Sequence, residues 1–218
     1  MVPLVCIVGA SDSGKTTFLE KLIPLIRDRG YRVGTIKHDA HGFDMDREGK
    51  DTWRHRAAGA QTIAISSPVQ VASIRSTSHE LNLEEVVARY FWQEDLILTE
   101  GYKRSNYPKI EIFRSAIESK PICGPEDHLI AIVTDDETSL EAPSYRFDEV
   151  SKVADLIEER FLRDRKRPKI QVNVNGKKLP MNEFVQDFLI GGIRGMLSTL
   201  RGWKESEQVD IHISWEDR

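Results

Sequence analysis

The chain has 218 residues, 39% hydrophobic and 30% charged, with a formal net charge of −4. That length suits one medium domain with a small addition, and the acidic balance speaks against a nucleic-acid partner. No apolar run approaches the ~20 residues needed to cross a bilayer and no signal-peptide pattern is present, so a soluble, cytoplasmic protein without a membrane partner is expected.

The first element is an apolar strand, Leu4 to Val8, in which Cys6 reads as a small buried side chain; Cys6 and Cys123 are too few for a disulfide framework. It runs into GASDSGKTTF, residues 9–18, and then into helical spacing as far as Arg29. Gly9, four residues, Gly14, Lys15 and Thr16 fit the phosphate-loop pattern G-x-x-x-x-G-K-[ST] in its required setting between a strand and a helix. The two glycines let successive N–H groups turn around a phosphate oxygen, and the helix starting near Lys15 adds its positive end. Lys15 is expected at the β- and γ-phosphates, the Thr16 hydroxyl on Mg²⁺, and Thr17 in support of the helix start. Asp12, unusual in such a loop, is expected to face solvent or pair with a basic side chain.

A strand, YRVGTIKH, leads into the densest polar stretch, with Lys37, His38, His41, Asp44, Asp46 and Asp51. Asp51 begins a short helix, either as its N-cap or, like Asp46, as a switch-type carboxylate near Mg²⁺. His38 and His41 without a third ligand are a weak zinc signal. The strands QTIAIS and VQVASIR flank Ser67-Pro68, and NLEEVVARYF has helical spacing with Asn82 as its cap. DLILTEG is an apolar strand whose tip carries Glu100, placed to act on Mg²⁺ directly or through water, where Asp is commoner. KIEIF and LIAIVTDD are further strands, and EVSKVADLIEERFL is a helix. Near the second of these, Thr134 and Asp135 are candidates for base recognition, since a carboxylate there accepts from N1–H and N2–H of guanine. Capping is the alternative role for Asp135, and the chain has no N-K-x-D tetrad to decide between GTP and ATP. Alternating strands and helices with near-continuous apolar strands predict an α/β fold: a mostly parallel sheet flanked by helices, with its ligand beyond the carboxyl ends of the strands.

RFLRDRKRPK, residues 160–169, holds six basic residues and one acid and marks a boundary between a nucleotide-binding domain, 1–165, and a small α+β module, 166–218. In the module, KIQVNVNGKK predicts a hairpin turning at Asn175-Gly176. A helix follows with Val185, Phe188, Leu189, Ile193, Met196, Leu197 and Leu200 on one face, and Gly191, Gly192 and Gly195 suggest close packing. VDIHISW alternates as a closing strand, so the helix is expected to cover a short antiparallel sheet.

Together, GASDSGKTTFLEKLIPLI, GTIKHDAHGFDMDREGKDT, AAGA at 57–60 and DLILTEGYK resemble the molybdopterin-guanine dinucleotide biosynthesis protein B family, MobB, over roughly residues 3–162. The resemblance implies a P-loop GTP-binding protein, weakly hydrolytic and homodimeric, that assists the guanylyltransferase MobA in attaching GMP to molybdopterin; molybdopterin is a further implied ligand. Its motif positions assign Gly9, Ala10, Ser11, Asp12, Ser13, Gly14, Lys15, Thr16 and Thr17 to phosphates and Mg²⁺. Lys37, His38 and Asp51 fall in the loop facing the nucleotide, and Glu100 is the strand-end acid. Lys15, Glu100 and Asp51 form the expected catalytic set, with Thr16, Asp51 and Glu100 on the metal. Asp12 departs from the small or neutral residue expected in the loop, and the resemblance does not account for 166–218. No glutamine, base or arginine finger is recognisable for an attacking water, so slow turnover is expected. A small-molecule kinase and a nucleotide-gated adaptor without meaningful hydrolysis are the competing readings of the same loop.

Overall fold

Each residue of β1 (Leu4–Val8) is buried, and its side chains divide by the two-residue period of a strand. Val5 and Ile7 enter one core; Leu4, Cys6 and Val8 enter the other. A strand apolar on both faces needs cover on both, which is why the sequence around it supplies helices. The computed structural model describes residues 2–39, 42–91, 93–124, 126–138, 140–163, 170–174, 177–203, 209 and 211.

The chain divides into two compact units, 1–165 and 166–218. In the first, the central sheet has the order β2-β5-β1-β6-β7-β8. The other strands are β2 (Val33–Lys37), β5 (Leu96–Glu100), β6 (Lys109–Ile112), β7 (Leu129–Val133) and β8 (Ser144–Tyr145). All pairings are parallel, so every carboxyl end lies along one edge. β8, two residues long, was not foreseen because so short an element has no readable period.

On one face α1 (Lys15–Asp28) buries Phe18, Leu22 and Ile26 against Val5, Ile7, Leu98 and Ile110. The same core takes Val153 and Ile157 from α4 (Val150–Ile157), whose last turn widens into a π-helix over Glu158–Leu162. On the opposite face α3 (Leu83–Tyr90) contributes Leu83 and Val87. Each such side chain removed from water contributes about 1.5–3 kcal/mol. α3 is begun by Asn82, whose side chain accepts from Glu85 N–H while the Glu85 carboxylate accepts from Asn82 N–H, a reciprocal capping box. The expected mostly parallel α/β sheet with helices on both faces is therefore present.

The strands around Ser67-Pro68, β3 (Thr62–Ser66) and β4 (Val71–Arg75), pair antiparallel as a separate hairpin outside the central sheet. The short helix α2 (Asp51–Ala57) starts one residue earlier than an Asp51 cap requires: Lys50 is the N-cap and Asp51 is an exposed first-turn acid. A carboxylate there still favours the helix through the positive end of its dipole.

In the second unit β9 (Asn173–Val174) and β10 (Lys177–Lys178) pair antiparallel, while Asn175 and Gly176 lie outside the described residues. α5 (Glu183–Ser198) is capped by Asn182, whose side chain accepts from Val185 N–H. Its expected apolar face is not covered by the described residues: none of its side chains is buried, and Phe188 is 70% exposed. Nor do its glycines mark close packing among the described residues, none of which comes within 4 Å of where a Cβ would stand at Gly191, Gly192 or Gly195. Two strands of two residues offer too little apolar surface to cover sixteen helical residues. Of the closing strand expected over VDIHISW, only Val209 and Ile211 lie within the described residues.

Candidate nucleotide-binding site

Because the sheet is parallel, the loop after β1 sits between the tips of β5 and β6. In this loop Gly9 has φ +147°, Asp12 +60° and Gly14 +98°, left-handed geometry that turns the backbone sharply before α1 begins. Gly9 is required sterically as well, since a Cβ there would stand 2.3 Å from the Ile112 carbonyl oxygen of β6. Ser13 is 1% exposed and its hydroxyl has no partner among the described residues, a buried polar atom within the loop. Ser11, Asp12, Thr16 and Thr17 are exposed, so Asp12 faces solvent as expected.

Lys15 folds back across the loop, donating to the carbonyl oxygens of Ala10 at 2.5 Å and Gly9 at 3.2 Å. Burial lowers its pKa, the charges of Glu100 and Asp12 act in the opposite direction, and Lys37 adds to the lowering. Thr16 Oγ1 donates to Glu100 Oε2 at 2.8 Å, and Lys37 Nζ stands 3.5 Å from Glu100 Oε1. The strand tips thus join Lys15, Thr16, Lys37 and Glu100 into one electrostatic group. A hydroxyl and a carboxylate oxygen side by side form an all-oxygen donor set, the chemistry that suits Mg²⁺.

Two expected members make no side-chain contact with this group among the described residues, although His38 N–H donates to the Glu100 carbonyl at 3.1 Å. His38 pairs through Nε2 with Glu80 Oε1 at 2.9 Å and packs its ring on Tyr102, centroids 4.7 Å apart. Asp51 is joined to neither Thr16 nor Glu100 by the hydrogen bonds and ion pairs of the described residues. The carboxylate that organises its loop is Asp46, which accepts from the Thr52 hydroxyl at 2.9 Å. His41 lies outside the described residues, and no group of three metal-ligating side chains occurs among the described ones.

At the tip of β7, Thr134 is buried and its Oγ1 accepts from Asp136 N–H. Asp135 pairs with Arg146 at 3.6 Å, and Asp136 accepts from the Ser115 N–H and hydroxyl, which hold its carboxyl below the ordinary range. The fold also brings in an arginine that sequence reasoning missed. Arg114, just past β6, donates from Nε to the Ser13 carbonyl at 3.2 Å and stacks its guanidinium 3.8 Å above the Phe147 ring. The signal was a cation directly after an apolar strand, legible only once β6 is known to adjoin β1.

A phosphate loop between the first strand and helix of a parallel sheet, with an acid on the neighbouring strand tip, defines a protein of the P-loop NTPase fold. The family model described as "Molybdopterin guanine dinucleotide synthesis protein B" matches residues 4–135, and the chain belongs to that family, MobB. It is 36% identical over 163 residues to the Escherichia coli "Molybdopterin-guanine dinucleotide biosynthesis adapter protein", covering 73% of this chain and 93% of that one. A crystal structure of molybdopterin-guanine biosynthesis protein B superposes with a TM-score of 0.60 at 31% identity, covering 74% of this chain and 99% of the other. A Methanocaldococcus jannaschii relative is 25% identical over 238 residues and covers 95% of each chain, so the match extends into 166–218.

Proposed function

We propose that this chain is a GTP-binding accessory protein of molybdenum cofactor biosynthesis, a cytoplasmic homodimer that assists the guanylyltransferase MobA in forming molybdopterin guanine dinucleotide. The observation that carries the nucleotide reading is the Lys15, Thr16 and Glu100 group at adjoining strand tips. Family membership and the names of the relatives support the pathway.

In this reading the amides of residues 9–17 hold the phosphates, and Lys15 exchanges its carbonyl partners for β- and γ-phosphate oxygens. Thr16 and Glu100 would hold Mg²⁺, which neutralises charge on the phosphates when bound. Arg114 braces the Ser13 carbonyl, so the neighbouring N–H groups keep their aim. Hydrolysis requires a water in line with the γ-phosphate, and no described side chain is committed to orienting it, which gives slow turnover. Thr134 and Asp135 supply the guanine preference, with Asp135 released from its exposed pair with Arg146.

Calorimetric titration of GTP, GDP and ATP with Mg²⁺ into the protein and into Lys15→Ala tests this. Preference for guanine nucleotides, lost in the variant, supports the reading. Tighter ATP binding, or unstimulated single-turnover hydrolysis at the ~10 s⁻¹ of stimulated GTPases, overturns it.

A further inference from the structure

The sheet order β2-β5-β1 places the phosphate loop on one flank of Glu100 and His38 on the other. Beside His38 lies a cleft of about 1000 Å³, walled by residues 80–84 leading into α3 and 102–107 following β5. That volume is at the upper end of small-molecule sites. Nothing in the nucleotide chemistry above uses it.

The walls are held in place. Tyr107 OH donates to Glu84 Oε1 at 2.6 Å, one bridge between the two walls, and His38 ties to both, pairing with Glu80 and packing its ring on Tyr102. Below them Lys109, 1% exposed, donates to the carbonyls of Ser105 at 2.5 Å and Asp127 at 2.8 Å. A buried ammonium spent on backbone carbonyls fixes the course of the 102–107 loop. Tyr102 has φ +58° directly after Gly101 at +107°, a conformation that costs a non-glycine residue on the order of 1 kcal/mol. The strained turn brings the Tyr102 ring against His38, presenting a preformed aromatic surface.

The charges of the cleft are segregated. Glu80 and Glu84 lie on one wall, and the N-terminus of α3 is already satisfied by its capping box, so that wall repels anions and accepts N–H donors. Lys103 and Arg104 on the other wall are exposed and form no ion pair among the described residues. An aromatic surface, carboxylate acceptors and two unengaged cations fit a planar heterocycle rich in N–H groups that carries a phosphate.

We propose that this cleft is a second ligand site, separate from the phosphate loop, for a phosphorylated heterocycle of the pterin class. The choice of pterin over other such heterocycles rests on the proposed function. The two sites flank Glu100, so the protein would hold a nucleotide and a phosphorylated pterin together.

The test is fluorescence titration of neopterin monophosphate, with unphosphorylated neopterin and inorganic phosphate as comparisons. Micromolar binding of neopterin monophosphate, about tenfold tighter than neopterin, is expected. The double variant Lys103→Ala/Arg104→Ala should lose that tenfold for the phosphorylated pterin alone. Tyr102→Asn keeps a residue tolerant of positive φ but removes the ring, and should weaken both pterins. Both variants should bind GTP like the parent, which also reports folding, while Lys15→Ala should lose GTP and keep the pterin. If Tyr102→Asn does not fold, the double surface variant carries the test. The proposal is overturned if neopterin monophosphate does not bind, if the cleft variants leave its affinity unchanged, or if GTP displaces it. Pterin binding with the expected cleft dependence in a protein that ignores GTP would instead refute the nucleotide reading and leave the cleft assignment standing.

Discussion

Thr16 at the start of the first helix and Glu100 at the tip of β5 are 84 residues apart in sequence, yet the Thr16 hydroxyl donates to the Glu100 carboxylate at 2.8 Å. Parallel pairing of β1 with β5 in the register Ile7↔Glu100 makes this contact possible. Glu100→Gln keeps the shape and removes the charge. We expect Mg²⁺-dependent GTP affinity to fall about tenfold with metal-free binding little changed, as calorimetry with and without Mg²⁺ would show.

Gly9→Ala tests the close approach of the loop to β6. The added methyl would stand 2.3 Å from the Ile112 carbonyl oxygen and 2.8 Å from Ser13 Oγ, at φ +147°. Backbone cannot yield as a flexible side chain does, so destabilisation on the order of 3 kcal/mol is expected, read from urea midpoints. Gly49→Ala, with positive φ but open space around it, should cost less, on the order of 1 kcal/mol.

Arg114 acts on the phosphate loop through the Ser13 carbonyl and is itself steadied by the Phe147 ring. Arg114→Ala should weaken GTP binding by about tenfold with little loss of thermal stability. Arg114→Lys should not restore it, because an ammonium lacks both the planar stacking surface and the directed Nε–H. Restoration by lysine would show that charge alone matters.

Alkaline pH should destabilise the fold through Cys123. Burial, and then the Glu111 carboxylate beside it, push this thiol from 9.0 to about 12. Glu111 is itself buried and accepts from the N–H groups of Ile122 and Cys123. The folded state therefore keeps the proton longer than the unfolded chain. The stability this represents is complete below pH 9 and is lost as pH rises towards 12, on the order of 2 kcal/mol by pH 11. Tyr107, raised by burial and by its bond to Glu84, acts with the same sign. Urea unfolding between pH 8 and 11 should show a falling midpoint, with a shallower fall in Cys123→Ala.

The sequence by itself determined the elements whose signal is local. The phosphate loop needs fixed spacing of Gly9, Gly14, Lys15 and Thr16, and that spacing is written in consecutive residues. The buried parallel strands β1, β5 and β7 show as near-continuous apolar runs, and Asn82 with Glu85 announces the start of α3. Glu100 was legible because a polar residue ending such a run lies at the ligand edge of a parallel sheet.

Only the tertiary structure decided which strand tips are neighbours, because strand order depends on long-range pairing that no local pattern records. That order put Arg114 against the phosphate loop and turned His38 towards Glu80 and Tyr102. It joined Thr16 to Glu100, whereas Asp51 forms no hydrogen bond or ion pair with either among the described residues, although all three read alike as candidate metal ligands. The apolar stripe of α5 made the same point in reverse: a helical period shows which face seeks cover, but the cover is a second surface supplied by other parts of the chain or by a partner. Local chemistry selects the groups able to bind a phosphate, and the packing of the sheet selects which of them meet.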